Sequence, residues 1–273
     1  MNSVSEFFVF NMLDNLKPTA SGADGLPFWF LKIAAYSIAQ PLTHIYNLSL
    51  RYATTPTQWK QALISPIPKV SQPSVCSDFR PISLTPIPSR ILEKFIVRSC
   101  IYPALTNPIC AHLFTDQFAY LPSGSTEAAL ISIFHHVTTL LASNNYVRLI
   151  ALDFSKAFDT VRHSGILEKL SQLPIHDYLY NWFVNFFKDH THVTKFRGEI
   201  SKPAAVNASV FQGSVIRPPM FVVNGSDLKP VDPNNFLDKY ADDTYLIVSS
   251  SNEHSLHAEL KSIESWAVKI ILS

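Results

Sequence analysis

Residues 236–248 read FLDKYADDTYLIV. Two strand-like runs at 236–240 and 244–248 flank Ala241-Asp242-Asp243. Their lengths and the short interval predict an antiparallel hairpin, although the turn lacks the Gly or Asn that such turns usually contain. The hairpin would carry two adjacent carboxylates at its tip.

A second candidate strand lies upstream, where residues 146–154 read YVRLIALDF. The run is short and mostly apolar and stops at Asp153, which predicts a strand buried on both faces. Apolar residues at helical spacing predict helices at 125–141, 164–173, 177–188 and 256–270. This mixed order of helices and strands predicts an α+β fold rather than a doubly wound parallel sheet.

The first fifty residues predict further helices. Asp24 and Pro27 are placed to begin one helix, and Pro41 to begin a second. Six of the nineteen prolines then fall within residues 66–88. They exclude a continuous helix there and predict extended strands and turns. Residues 193–210 are weakly patterned and predict a hairpin.

Composition narrows the class of protein. The chain has 273 residues, of which 47% are hydrophobic and 16% charged, values that exclude a disordered chain or a coiled coil. No apolar run approaches the roughly 18 residues of a membrane span, and the first residues do not resemble a signal peptide. Three cysteines without metal-ligand spacing favour reduced thiols inside a cell, in the cytoplasm, the nucleus or both.

Charge is distributed unevenly along the chain. The formal net charge of +1 argues weakly against a nucleic-acid partner. Residues 60–98, however, contain six basic and two acidic side chains, a local excess of four positive charges. This excess indicates either an ordinary solvated surface or a patch that faces phosphates.

The carboxylates at the ends of the two β elements are candidate metal ligands. If the elements are neighbours, Asp153, Asp242 and Asp243 converge, and a divalent cation would relieve their mutual repulsion. Magnesium suits one or two carboxylates completed by water and substrate phosphates. Two such ions about 4 Å apart support phosphoryl transfer. Alternatively, Asp242 and Asp243 form an ordinary turn, and Asp153 and Asp159 are a helix cap and a surface charge.

Several motifs, in order, resemble the reverse transcriptase domain of non-LTR retrotransposons, the jockey-like elements of animal genomes. The resemblance covers nearly the whole chain. Its motifs are ASGADGLP (20–27), Trp59 with Ile67-Pro68-Lys69, DFRPISL (78–84), Asp116-Gln117-Phe118 through Ser125-Thr126, ALDFSKAFDTV (151–161), Gln212-Gly213-Ser214, YADD (240–243) and the helix around Trp266.

The resemblance implies a right-hand polymerase with fingers and palm, an antiparallel palm sheet with packed helices, and no thumb. Residues 1–55 would form the N-terminal helical part of the fingers region. Residues 56–273 would form the reverse transcriptase domain, with fingers at about 56–145 and palm at about 146–273. A helical insertion would occupy about 164–190.

The resemblance also implies an activity. The chain would be an RNA-directed DNA polymerase that adds dNTPs to the 3′-hydroxyl of a DNA primer on an RNA template. Two magnesium ions (Mg²⁺) would be held mainly by Asp153 and Asp242, with Asp243 in support. No membrane partner is implied, and protein partners are not specified.

Substrate contacts are implied for six further residues. Lys69 and Arg80 would hold the nucleotide triphosphate. Phe158 would lie under the incoming sugar and exclude a 2′-hydroxyl. The remaining three would be Gln212 and Gly213 near the nucleotide and template, and Tyr240 near the primer end.

The sequence departs from the family pattern at several positions. Arg217 precedes Pro218 where the family usually has Gly, Phe211 replaces a usual Pro, and Leu121 replaces a common Arg. The chain stops before the usual Lys of the fourth palm motif. These departures predict a partial copy, and the alternative is a decayed remnant that at most binds nucleic acid. A magnesium-dependent phosphatase or nuclease is a third reading of the same carboxylates.

Overall fold

The computed structural model describes residues 3–154, 161–206 and 213–271. The helices are α1 (Glu6–Asp14), α2 (Phe28–Ile33), α3 (Ala35–Arg51), α4 (Ile87–Ile96), α5 (Tyr102–Leu105), α6 (Thr126–Leu141), α7 (His163–Leu170), α8 (Asp177–Phe186), α9 (Arg217–Asn224) and α10 (Leu256–Ile271). The strands are β1 (Gln61–Pro68), β2 (Phe79–Leu84), β3 (Val147–Leu152), β4 (Thr191–Phe196), β5 (Glu199–Ile200), β6 (Ala204–Ala205), β7 (Phe236–Tyr240) and β8 (Asp243–Ser249). The α+β prediction is confirmed.

The described chain divides into two compact units. The first contains residues 3–101, 174–206 and 213–217, and the second contains residues 102–154, 161–173 and 218–271. The division into fingers and palm at the boundaries given above stays a prediction.

The first unit combines helices with a mixed sheet in the order β2-β1-β4-β5, with β6 also paired to β4. Strand β1 is antiparallel to β2 and parallel to β4. Helix α8 buries Trp182, Phe183 and Phe186, three members of its apolar stripe. The indole N–H of Trp182 donates to Ser49 Oγ of α3 at 3.0 Å, so the buried polar group is satisfied where the two helices pack.

The second unit is built on an antiparallel sheet in the order β3-β8-β7. Leu237, Leu246 and Val248 form its core with Ile263 of α10. Helix α6 contacts all three strands, and its His136 reaches Asp238 of β7. Because Asp238 and Leu237 are adjacent on one strand, they point to opposite faces. The sheet therefore has α10 on one face and α6 on the other.

Two local predictions were wrong. Strand β3 is an edge strand with Leu149 50% exposed, rather than a strand buried on both faces. An apolar run does not reveal whether its strand pairs on one side or on two. Helix α3 begins at Ala35 and contains Pro41. Burial of Ala35 and Ala39 favours this longer helix over the break that proline alone predicts.

Helix α6 begins as predicted, with Ser125 Oγ accepting a hydrogen bond from Ala128 N–H. Its apolar residues divide between environments, since Ile133 is buried while Leu130 and Phe134 are exposed. Among the described helices, none combines the length and the apolar character needed to cross a membrane.

Candidate active site

The predicted carboxylate hairpin is formed by β7 and β8. Tyr240 pairs with Asp243, so the turn consists of Ala241 and Asp242, one residue shorter than predicted. Ala241 adopts φ +57°, a left-handed conformation that two-residue hairpin turns require and that Gly or Asn would adopt more easily. The turn places Asp242 at the tip and Asp243 at the first position of β8.

Strand register brings Asp153 to the same end of the sheet. Leu152 of β3 pairs with Thr244 of β8, and one further step of this antiparallel register sets Asp153 opposite Asp243. Directly opposed residues in such a pair have Cα atoms about 5 Å apart. The three carboxylates predicted from sequence therefore share one end of this sheet.

These carboxylates lie at an open end of the sheet. Asp153 and Asp243 are exposed and Asp242 is half-buried, which corrects the expectation that Asp153 closes a buried strand. Across residues 3–154, 161–206 and 213–271, no three His, Cys, Asp or Glu side chains form a ready-made metal cage. The donor set nevertheless fits magnesium, which takes oxygen ligands and needs only one or two protein carboxylates.

An ionic cluster around a buried lysine, not predicted from the sequence, lies behind the hairpin. Lys239 is 4% exposed, and its Nζ lies 3.1 Å from Asp116 Oδ2. That same oxygen is 2.8 Å from Nζ of Lys229. Burial lowers the pKa of Lys239 to about 8, although the negative charge of Asp116 acts in the opposite direction. The available signal was the pair Asp238-Lys239 within an otherwise apolar strand.

Asp238 lies on the face of β7 opposite to Lys239. It accepts a hydrogen bond from Ser132 Oγ at 3.2 Å and lies 3.1 Å from His136 Nδ1. Burial raises the pKa of Asp238, against the opposing effect of His136. The His136 ring also stacks on Phe236, with centroids 3.9 Å apart. His136 is thus a packing residue.

In the first unit, Lys69 and Arg80 lie on one hairpin. Ile67 of β1 pairs with Arg80 of β2, and Lys69 follows Ile67 by two residues, so Lys69 and Arg80 project from the same face. Both are exposed. The Lys69 ammonium donates to the carbonyl of Ser77 at 3.0 Å, which holds it close to the hairpin turn.

The positive patch is smaller than predicted. Lys60 is 7% exposed and donates to the carbonyl of Asn185 at 2.7 Å. Arg90 donates to Thr19 Oγ1 at 3.0 Å and to the carbonyl of Ala20 at 3.1 Å. Both of these side chains are bonded within the unit. Four of the six basic residues therefore remain for its surface.

The Gln212-Gly213-Ser214 motif is described only from Gly213 onward, and Gln212 and Phe158 lie outside the described residues. Gly213 adopts φ +89°, and a Cβ there would lie 2.2 Å from the carbonyl oxygen of Ser83. The close approach of Ser83 in β2 therefore requires a glycine at position 213. Ser214 Oγ donates to the buried Glu93 Oε2 at 2.6 Å.

Arg217, which departs from the family pattern, is the first residue of α9. Pro218 and Pro219 follow it within the first turn, where proline is tolerated because the N–H groups have no intrahelical partner. The limit that Pro218 places on the backbone conformation of Arg217 therefore applies at the first residue of a helix rather than inside one.

The fold is similar to that of telomerase. The apo telomerase of Candida Tropicalis matches with a TM-score of 0.57 at 15% identity, over 85% of this chain and 47% of that chain. Its form truncated from the C-terminal domain matches with a TM-score of 0.53. With the carboxylate hairpin, this likeness defines a protein of the reverse transcriptase fold.

The family follows from the sequence match. The family model described as reverse transcriptase (RNA-dependent DNA polymerase) matches residues 67–273, and the chain belongs to this family. It is 30% identical, over 85% of its length, to the probable RNA-directed DNA polymerase from transposon BS of Drosophila melanogaster. It is 26% identical, over 91% of its length, to the RNA-directed DNA polymerase from the mobile element jockey of the same organism. The chain spans 26% and 28% of these two relatives.

Proposed function

We propose that this chain is the polymerase part of a non-LTR retrotransposon reverse transcriptase. It would extend a DNA primer on an RNA template by adding dNTPs to the primer 3′-hydroxyl. The observation that carries the proposal is the strand register, which pairs Leu152, the residue before Asp153, with Thr244, the residue after Asp243. These carboxylates lie at the open end of the sheet, where a nucleotide and its metal ions could approach them.

Asp153 and Asp242 would be the main magnesium ligands, and Asp243 would support them. When bound, two magnesium ions supply activation of the primer hydroxyl and stabilisation of the departing pyrophosphate oxygen. Tyr240 pairs with Asp243 and so shares its face of the sheet. From there its side chain would contact the primer end.

The other substrate contacts would come from the remaining motifs. Lys69 and Arg80, exposed on one face of a hairpin, would bind the triphosphate, where a guanidinium can engage two phosphate oxygens at once. Gln212 and Gly213 would border the nucleotide and template. Phe158 would exclude a 2′-hydroxyl by its bulk, so Phe158→Ala should admit ribonucleotides.

The chain would act inside the cell, where its RNA template is found. Its three cysteines, Cys76, Cys100 and Cys110, are free thiols, which suits a reducing compartment. The cytoplasm, the nucleus or both would meet this requirement.

Primer extension on an RNA template with Mg²⁺ tests the proposal. We expect Asp153→Asn and Asp242→Asn each to reduce extension at least about 100-fold, because each replaces a negatively charged magnesium ligand with a neutral amide. Asp14→Asn is the matched control, since Asp14 is also exposed but belongs to α1 in the first unit, and it should leave the rate unchanged.

Other outcomes would select other functions. Unchanged RNA-templated synthesis by Asp153→Asn overturns the assignment. Salt-dependent RNA binding without extension by the wild-type chain would select the decayed remnant. Phosphate release from a monoester without any template would select the hydrolase.

A further inference from the structure

The segment Asp116-Gln117-Phe118 runs beside the carboxylate hairpin. The Lys239 N–H donates to the carbonyl of Asp116 at 2.7 Å, and the Phe118 N–H donates to the carbonyl of Lys239 at 2.8 Å. Gln117 thereby forms a parallel bridge with Lys239. The segment extends the sheet past β7, on the side away from β8.

The side chain of Gln117 reaches the turn itself. It is 6% exposed, and its Oε1 accepts hydrogen bonds from Ala119 N–H at 2.9 Å and from Ala241 N–H at 3.2 Å. In a two-residue hairpin the ladder ends at the closing pair, here Tyr240 and Asp243. The strand ladder therefore offers no acceptor to the Ala241 N–H, and Gln117 provides one.

The residue next to Gln117 is anchored by ion pairs. The carboxylate of Asp116 binds the ammonium groups of Lys229 and Lys239. Lys239 also donates to the carbonyls of Gly225 and Leu228 at 2.9 and 3.0 Å. Because charge-assisted hydrogen bonds anchor the segment next to Gln117, its amide oxygen is a fixed point against which the turn can be set.

We propose that Gln117 is a positioning residue that fixes the Ala241-Asp242 turn and thereby the carboxylate of Asp242. This inference rests on the proposed function and deepens it. The left-handed φ of Ala241 costs a non-glycine residue some backbone energy, and the bond from Gln117 offsets that cost. A neutral amide also adds no negative charge beside the carboxylates.

Amide hydrogen exchange of Ala241, followed by NMR, tests the contact without requiring activity. Gln117→Met removes the acceptor while nearly keeping the side-chain length, and Gln117→Glu keeps an acceptor oxygen. Loss of one hydrogen bond should speed exchange of the Ala241 amide about fivefold in Gln117→Met, with little change in Gln117→Glu. Equal exchange in all three proteins overturns the proposal. If Gln117→Met does not fold, Gln117→Asn, one methylene too short, replaces it.

Primer extension supplies the functional readout. Gln117→Met should lower kcat and raise the Mg²⁺ concentration needed for half-maximal rate severalfold, with the KM for dNTP unchanged. Asn235→Ala is the control, because Asn235 donates to Ser255 and Glu259 elsewhere in the same unit. It should lower Tm without changing the Mg²⁺ requirement.

The two proposals fail in distinguishable ways. A wild-type chain that does not extend primers refutes the proposed function, while Ala241 exchange still tests the contact. A wild-type chain that extends primers, with an unchanged Mg²⁺ requirement in Gln117→Met, refutes the positioning role alone.

Discussion

Glu93 should be among the most sensitive positions of the first unit. Its carboxylate is 2% exposed and accepts three hydrogen bonds. Oε1 accepts from Ser89 Oγ at 2.8 Å, and Oε2 accepts from Ser214 Oγ at 2.6 Å and from Val215 N–H at 2.7 Å. One buried side chain of α4 therefore fastens the segment that follows Gly213.

The magnitude follows from these contacts. A hydrogen bond to a charged group contributes about 1.5–3 kcal/mol, so the two bonds at Oε2 of Glu93 set an upper bound of about 3–6 kcal/mol. Glu93→Gln keeps one acceptor oxygen but places an NH₂ group against one set of donors. It also avoids burying a charge, which recovers part of the loss. We therefore expect the free energy of unfolding to fall by about 2–3 kcal/mol.

Urea unfolding followed by tryptophan fluorescence measures this loss, since Trp182 is buried in the same unit. Glu199→Gln is the matched control, because Glu199 is exposed on β5, and its effect should stay within about 0.5 kcal/mol. A loss below that value for Glu93→Gln would refute the reasoning, since it would mean that the carboxylate makes no net contribution.

Two further predictions concern Gly213 and Lys239. Gly213→Ala should cost more stability in urea than Gly198→Ala: both positions have positive φ, but only at Gly213 would the new Cβ meet another backbone atom. If Gly213→Ala and Gly198→Ala lost equal stability, the expected collision of the new Cβ at position 213 would be contradicted. For Lys239, which faces Asp116 and Lys229, the unfolded chain keeps its proton up to a pKa of 10.5 while the folded chain releases it at about 8. Unfolding therefore takes up a proton between these values, and stability should rise with pH by up to about 3 kcal/mol relative to Lys239→Met. A pH-independent difference between the two proteins in chemical unfolding would contradict the lowered pKa.

Much of the local structure followed from sequence patterns. Two strand-like runs separated by a short interval were enough to predict the β7–β8 hairpin, and helical spacing predicted α6, α8 and α10. The spacing of apolar residues and the capping of helices depend only on residues close together in the sequence. Both can therefore be recognised in the sequence of one protein. The ordered motifs identified the family, which the match to residues 67–273 confirms.

Contacts between residues far apart in the sequence became visible only in the folded protein. Gln117 and Ala241 are 124 positions apart, and Glu93 and Ser214 are 121 apart. No periodicity predicts such pairs, because they depend on which strands and helices become neighbours. The same limit explains β3, whose apolar sequence fits either a central or an edge strand.

Sequence patterns alone were enough to predict that Asp153, Asp242 and Asp243 lie at the ends of β elements. Only the register of β3 against β8 showed that these ends coincide. Only the packing behind β7 brought Lys239, Asp116 and Gln117 next to the turn. Local patterns specify secondary structure, whereas pairing and packing select one arrangement among many that the same patterns allow.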